Sequence, residues 1–401
     1  MKTDVTLEDA ISTLASILHT PKLESVGLLE GLYRVLSEDL NSLVDHPSAD
    51  DSSLDGFAVR TQDTIQATPE LPVRLEVVGA VAAGSQSFVG HLDAGQAVKV
   101  FTGAPVPDGT TGIVMVENTS RDGNFVLVSR PATDDVRKRG QDLEIGKPYL
   151  QKGQILRGSQ IALAAAMGHA SLPVFKVPRV AILSTGDEIL EPGQPLPPGG
   201  AYNANSYGLA AMLREMGAEP VILPKVHDDL DSIRSSFEAV KDCDLLLTIG
   251  GVSMGERDFV RLLLEQEATM HYWKIRVKPG GPPVCATWHD LPVFGLPGNP
   301  VSSLVIFLLV VKPALYARYG VLEAAYETVQ ATALTPFKSA GAKTGMWRCT
   351  LEKLDSGFGA RAFGNQSSGV LRSMVQANAL AVVPPYSEVE TGGMLEVIRL
   401  S

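Results

Sequence analysis

Between Pro178 and about Tyr319, short apolar runs alternate with amphipathic stretches, and this alternation constrains the fold more than any other feature of the chain. Arg179–Ser184 (RVAILS), 219–223, 244–249 (DLLLTI) and 293–296 read as strands. Residues 206–216, 231–241 and 300–316 read as helices. Leu209, Met212, Leu213 and Met216 share one face of the first, and Gly217 stops it. Asn299 caps the last, with Pro300 at its first position. Strands with no polar alternation are buried on both faces, which calls for a largely parallel sheet with helices above and below. In such sheets ligands bind beyond the carboxyl ends of the strands. The run 244–249 passes directly into Gly250, Gly251, Ser253, Gly255 and Asp258. Glycines at that place let backbone N–H groups approach an anion without an intervening Cβ.

At 401 residues the chain exceeds one ordinary core, so several domains are expected. Residues 6–18 read as a helix with Thr6 as its cap and Leu7, Ile11, Leu14 and Leu18 on one face; a second helix is expected over 25–42. Residues 50–139 change to short apolar runs (VRLEVVGAV, AVKVF, GIVMVEN, FVLVSR) broken by Gly, Pro, Asp and Asn, a β-rich pattern. An alanine-rich helix (IALAAAMG) ends near Gly168. Past Gly320, a connecting stretch (KSAGAKTG) accompanies a second β region. The expected architecture is multidomain α/β plus β. It comprises a helical linker domain (1–49 with 140–176), an inserted β-rich domain (50–139), a central doubly wound α/β domain (177–322) and a C-terminal small β-barrel (328–401).

A net charge of −11 argues against a nucleic-acid binder, and it means that any anionic ligand needs a local basic cluster. Three widely spaced cysteines form neither a disulfide framework nor a zinc motif, which fits a reducing compartment. The N-terminus lacks an apolar signal core, and the apolar run 304–311 is too short to span a bilayer. These features read as a cytoplasmic chain with no membrane partner.

Four loop segments carry candidate chemistry. Ser184-Thr185-Gly186-Asp187-Glu188 follows a strand and suits a Mg²⁺–phosphate site, although a helix cap is the plainer reading. The glycine loop after Ile249 adds Gly250, Gly251, Ser253 and Asp258. In the third, Trp273 to Pro283, Lys274, Arg276 and Lys278 share one face of an extended strand; the plainer reading is a charged edge. In the fourth, Pro297, Asn299, Pro300 and Ser302 open a helix whose amides and dipole favour an anion. Asp228 follows another strand and joins this set; the plainer reading there is helix capping by the adjacent acid. Outside the central region stand Asp55 in an acidic loop, Thr102 in a rigid turn, and Arg348 and Ser367 on C-terminal loops. The histidines show no metal-binding spacing, and there is no GxSxG or P-loop.

Taken in order, SSLDGFAVR, FTGAPVP, STGDEI, NANSYGLAAML, HDD, TIGGVSMGERD, WKIRVKPGGPP, GLPGNPVSS and QSSG resemble the molybdopterin molybdenumtransferase family, bacterial MoeA and the gephyrin E-domain. The resemblance spans nearly the whole chain. It implies a molybdopterin-binding central domain and an enzyme of molybdenum cofactor biosynthesis. That enzyme inserts molybdate into adenylated molybdopterin with Mg²⁺-dependent hydrolysis and AMP release. It further implies that Asp187, Glu188, Asp228 and Asp258 surround the metal or the attacking water. Ser184, Thr185, Gly250, Gly251 and Ser253 would cradle the phosphates, and Lys274 and Lys278 would neutralise oxygens. Pro297, Asn299, Pro300 and Ser302 would shape the molybdate and dithiolene end, approached by Arg348 and Ser367. The family is a homodimer with its active site at the subunit interface, so Asp55 and Thr102 would enter from the other subunit. An adenylyltransferase and molybdoenzyme apoproteins are the implied protein partners.

This chain departs from the family in two places. Gly281 stands where the family carries a lysine, a loss of one cation that costs roughly 1–3 kcal/mol at an oxyanion site. Ala49-Asp50-Asp51-Ser52 replaces the usual approach to Leu54. Two further readings stay open from the sequence: molybdopterin adenylylation by the central domain alone, and a non-catalytic cofactor carrier or scaffold.

Overall fold

A computed structural model of the chain describes residues 1–84, 90–251 and 258–400. Ser253 and Gly255, singled out above, lie outside the described residues. The central sheet has seven strands in the order Lys2–Val5, Ala268–Ile275, Val284–Trp288, Leu291–Leu296, Leu245–Ile249, Arg179–Ser184 and Glu219–Ile222. The last four are mutually parallel, and Val284–Trp288 runs antiparallel to both of its neighbours.

Side chains along these strands alternate between two cores. Val180, Ile182, Leu245, Leu247 and Ile249 pack with Leu14, Leu209, Leu213 and Val305 on one face. Ala181, Leu183 and Leu246 pack with Ile233, Phe237 and Leu263 on the other. This double burial is why the strands read as unbroken apolar runs. From Arg179–Ser184 the chain winds outward to Glu219–Ile222, then returns to the opposite side to form Leu245–Ile249 and later Leu291–Leu296. The winding direction therefore switches between Arg179–Ser184 and Leu245–Ile249, where a crevice is expected at the carboxyl ends.

The helix from Pro300 to Tyr319 contains a π-helical turn at Phe307–Val311. By length and composition it is apolar enough to cross a bilayer. Its Val305, Ile306, Leu309 and Val310 instead lie fully buried in the core against the sheet.

Five strands close a C-terminal barrel: Thr344–Leu354, Gly357–Ala362, Thr328–Ala333, Met394–Arg399 and Ala379–Val383, the last pairing back onto the first. Val277–Lys278, leaving the central sheet, adds to this barrel in parallel with Thr344–Leu354. Near the N-terminus, six strands (Gly112–Met115, Gly56–Val59, Gln96–Val100, Val73–Val81, Phe125–Val128, Thr119–Asp122) make a separate β unit.

The helix expected over 25–42 does not form. Leu23–Gly27 is a strand paired with Ser171–Phe175, Leu29–Gly31 is a 3₁₀ turn, and Leu40–Asn41 pairs with Pro148–Leu150. A Cβ on Gly31 would stand 2.7 Å from Leu172 Cδ1, so the turn packs closely against the strand Ser171–Phe175. Distant ladder partners override the local helical spacing. The helix at the start of the chain matches its expectation: Leu7–Ile17 is capped by Thr6, whose hydroxyl accepts the Asp9 amide at 3.1 Å.

Candidate functional site

Strand ends build the site from the backbone outward. Thr185 follows the strand Arg179–Ser184, and its amide donates to Ile249 O at 3.2 Å, which ties two neighbouring strand ends together. Gly250 donates to Leu296 O at 3.1 Å and links the third. Gly250 and Gly251 take φ of +83° and +66°, values that side chains disfavour. A Cβ at Gly251 would also lie 3.1 Å from Val260 Cγ2 and 3.2 Å from Thr185 Oγ1. Across the crevice, Asn205 Nδ2 donates to Gly298 O at 2.8 Å and holds the turn before Pro300.

Two cavities meet along this line of glycines. Both are bordered by Gly250, Gly251, Gly298 and Asn299. One, of about 680 Å³, reaches toward the C-terminal barrel and takes in Lys278, Lys338, Arg348 and Ser302. Among the described residues no carboxylate lines it. The other, of about 620 Å³, runs along Ser184 to Ile189 and takes in Asp187, Glu188, Asp228 and Asp258, with no lysine or arginine among its described lining residues. The crevice is thus divided into a cationic half and an acidic half, within a chain whose net charge is −11.

In the acidic half, Asp228 accepts from the backbone of Gly186 and Asp187, yet its carboxyl is held above the usual carboxylate range. Burial is the main cause, followed by the charges of Asp187 and Glu188. The capping role belongs to its neighbour: Asp229 Oδ1 accepts the Ser232 amide at 2.8 Å at the start of Leu230–Ala239. Among the described residues, no three His, Cys, Asp or Glu side chains converge into a metal cage. The donor set still fits Mg²⁺, which takes few carboxylates and fills its shell with water and phosphate oxygens. Crowding at Asp228 is the kind of repulsion that such an ion relieves.

Within the cationic half, Arg348 is fully buried. Its Nε donates to Ser373 Oγ at 3.0 Å and its Nη2 to the carbonyls of Ser367 at 3.0 Å and Asn365 at 3.2 Å. Nη1 has no partner among the described residues, and burial lowers the guanidinium pKa. A buried charged group with an unpaired donor is costly to the fold. Ser302 and Ser367 line the same space.

Two site expectations need correction. The stripe Lys274, Arg276 and Lys278 does not converge: only Lys278 lines the crevice. Lys274 takes φ +69°, and its Nζ lies 4.0 Å from the Trp273 ring centroid. Arg276 faces another depression, where its Nε donates to Asp4 O at 2.6 Å. The period-two reading assumed one strand, but the chain leaves the central sheet at Ile275 and joins the barrel at Val277. The helix start at Pro300 is less open than expected, because Pro300 has no amide hydrogen and Val301 donates to Ser368 O at 3.1 Å. Asp55 and Thr102 line neither half. They bind each other, with Asp55 Oδ1 accepting the Thr102 amide at 2.7 Å and its hydroxyl at 2.9 Å, which lowers the Asp55 pKa.

Sequence reading missed Lys338, Trp347 and Asn205. The first lies in the KSAGAKTG stretch, which read as a connector; its only signal was a pair of lysines in an acidic chain.

Comparison with known proteins covers most of the chain. Residues 5–168 match the MoeA N-terminal region (domain I and II), 181–317 a probable molybdopterin binding domain, and 330–400 the MoeA C-terminal region (domain IV). A molybdopterin molybdenumtransferase of Nostoc sp. is 35% identical over 381 residues, covering 91% of this chain and 87% of that relative. The Bacillus subtilis enzyme of the same name is 33% identical over 409 residues, covering 100% and 95%. Among solved structures, the molybdopterin biosynthesis moeA protein from Pyrococcus horikoshii OT3 superposes with a TM-score of 0.84 at 28% identity, covering 99% of this chain and 100% of that one.

Proposed function

The chain belongs to the molybdopterin molybdenumtransferase (MoeA) family, and from that premise we propose that its divided crevice is where molybdate meets adenylated molybdopterin. It is an enzyme of molybdenum cofactor biosynthesis that inserts molybdate into molybdopterin. The observation carrying the finer reading is the segregation of charge along one line of glycines.

An adenylated pterin is a long polyanion whose two ends need different treatment. Lys278, Lys338 and Arg348 supply positive charge for molybdate and the dithiolene end, with Ser302 and Ser367 as hydroxyl donors. Gly250 and Gly251 present bare backbone to the phosphates, with Ser184 and Thr185 beside them; Pro297, Asn299 and Pro300 shape the opposite wall. Asp187, Glu188, Asp228 and Asp258 would hold Mg²⁺ or orient a water toward the phosphoanhydride. Bound there, the ion would neutralise charge that develops on the phosphate oxygens. Cleavage of this kind depends mainly on positioning and charge neutralisation, which is what the two halves provide. Asp55 and Thr102 enter this scheme from a second copy of the chain in a homodimer. Action in the cytoplasm, beside an adenylyltransferase and molybdoenzyme apoproteins, completes the reading.

An adenylyltransferase reading needs only the central region, yet Lys338, Arg348 and Ser367 of the crevice wall come from beyond it. The test is AMP release from adenylated molybdopterin by purified protein, with molybdate and Mg²⁺ each supplied or withheld. Release that needs both supports the reading; an intact adenylate with both present sinks it.

A further inference from the structure

The cationic half has a wall with no side chain at Gly281, and what occupies that space is a lysine from another part of the fold. A Cβ built on Gly281 would lie 2.9 Å from Lys343 Nζ. Lys343 stands one residue before the strand Thr344–Leu354, which pairs in parallel with Val277–Lys278 through Val277 opposite Thr344 and Lys278 opposite Gly345. The Thr344 amide donates to Arg276 O at 3.0 Å, and Lys343 also bridges to Ala340 across the turn. The backbone at Lys343 is thereby fixed against the loop that carries Lys278 to Pro282. Its side chain is half-buried, and among the described residues no carboxylate pairs with it. In a chain of net charge −11, a lysine ammonium that meets the wall of a carboxylate-free cavity at Gly281, with no ion pair among the described residues, is set up to receive an anion.

We propose that Lys343 is an oxyanion-binding residue of the crevice, delivering from the C-terminal barrel the positive charge that position 281 lacks. The inference rests on the reading of the cationic half as the molybdate end. Glycine at 281 then has a specific use: it leaves the space into which the Lys343 ammonium reaches. Positive charge then faces this part of the crevice from the barrel side. Because the ammonium is the end of a flexible side chain, a methyl group at 281 displaces it without disturbing the backbone.

The experiment is equilibrium binding of molybdate alone to the full-length protein at fixed ionic strength. Lys343→Gln is expected to weaken binding about ten-fold, the scale of one charge-assisted hydrogen bond. Gly281→Ala weakens it several-fold with Lys343 present and has no further effect in the Lys343→Gln background, the signature of coupled neighbours. Gly281→Lys added to Lys343→Gln recovers most of the loss. The control is Lys353→Gln, an exposed lysine on the barrel, which leaves affinity unchanged. Equal binding by the parent and Lys343→Gln overturns the proposal while leaving the molybdate site in place. An equal loss in Lys353→Gln also overturns it, since the effect would then come from net charge. If the parent itself fails to bind molybdate, the functional reading falls and this inference falls with it.

Discussion

Asp228 and Arg348 show two opposite ways of storing unfavourable electrostatics in a site. Asp228 carries its excess in the absence of a cation, because burial and the charges of Asp187 and Glu188 raise its pKa. A carboxyl whose folded pKa exceeds its unfolded value opposes folding once it ionises. The penalty is absent at pH below the ordinary carboxylate value and complete above the raised one. Asp228→Asn is therefore expected to raise the melting temperature of metal-free protein at neutral pH by about 1–2 °C, and to give no gain in acid. The same variant should bind Mn²⁺, used as a spectroscopic stand-in for Mg²⁺, at least ten-fold more weakly. A gain that persisted in acid would show that charge is not its cause. Arg348 is instead costly without an anion, and its three acceptors at Ser373, Ser367 and Asn365 depend on it. Arg348→Ala strands those acceptors and should cost about 2–4 kcal/mol in denaturant unfolding of the C-terminal barrel. From sequence, Asp228 and its capping neighbour Asp229 were indistinguishable, since both are acids between a strand and a helix. Only the hydrogen bonds separate them.

Elements with two buried faces were the readable ones. RVAILS and LLLTI show unbroken apolar runs because each face meets its own core, so the central sheet and the loops at its carboxyl ends could be located in advance. The strands Ala268–Ile275 and Val284–Trp288 were harder, since Thr269, His271 and Thr287 interrupt the apolar pattern. Residues 25–42 were misread because their partners lie at Pro148–Leu150 and Ser171–Phe175, far along the chain. The loop from Lys278 to Pro282 depends on a contact that no local pattern reveals. Gly280 has φ +120°, and a Cβ there would overlap Ile306 Cγ1 and stand 2.6 Å from Ile306 Cδ1, on the long core helix. Gly280→Ala must shift the loop or repack the buried Ile306 side chain, and it strains a positive φ, at a cost of about 2–4 kcal/mol. We expect a lower denaturation midpoint together with weaker molybdate binding, because Lys278 moves with the loop. Normal binding in a destabilised Gly280→Ala protein would separate loop position from the cationic site.

At the scale of the whole molecule, the crevice brings together distant parts of one chain, yet one pair remains outside it. Lys278 comes from the link between sheet and barrel, Arg348 and Lys338 from the barrel, and the acids from the central sheet. Asp55 and Thr102 bind each other on the N-terminal β unit and line neither half. If that pair serves the reaction, a second copy must present it, and a two-fold dimer then holds two crevices, each built from both chains. Mixing supplies the test. Asp55→Ala and Lys278→Ala proteins, each inactive alone, are unfolded together, refolded and assayed for molybdate-dependent AMP release. Random pairing makes half of the dimers mixed. In each mixed dimer one crevice receives both defects and the other receives none, so activity should recover to about a quarter of the parent value. If Asp55 instead served the crevice of its own chain, every site would keep one lesion and mixing would restore nothing. The two arrangements thus predict different activities from the same tube of protein, and the size of the recovery tells them apart.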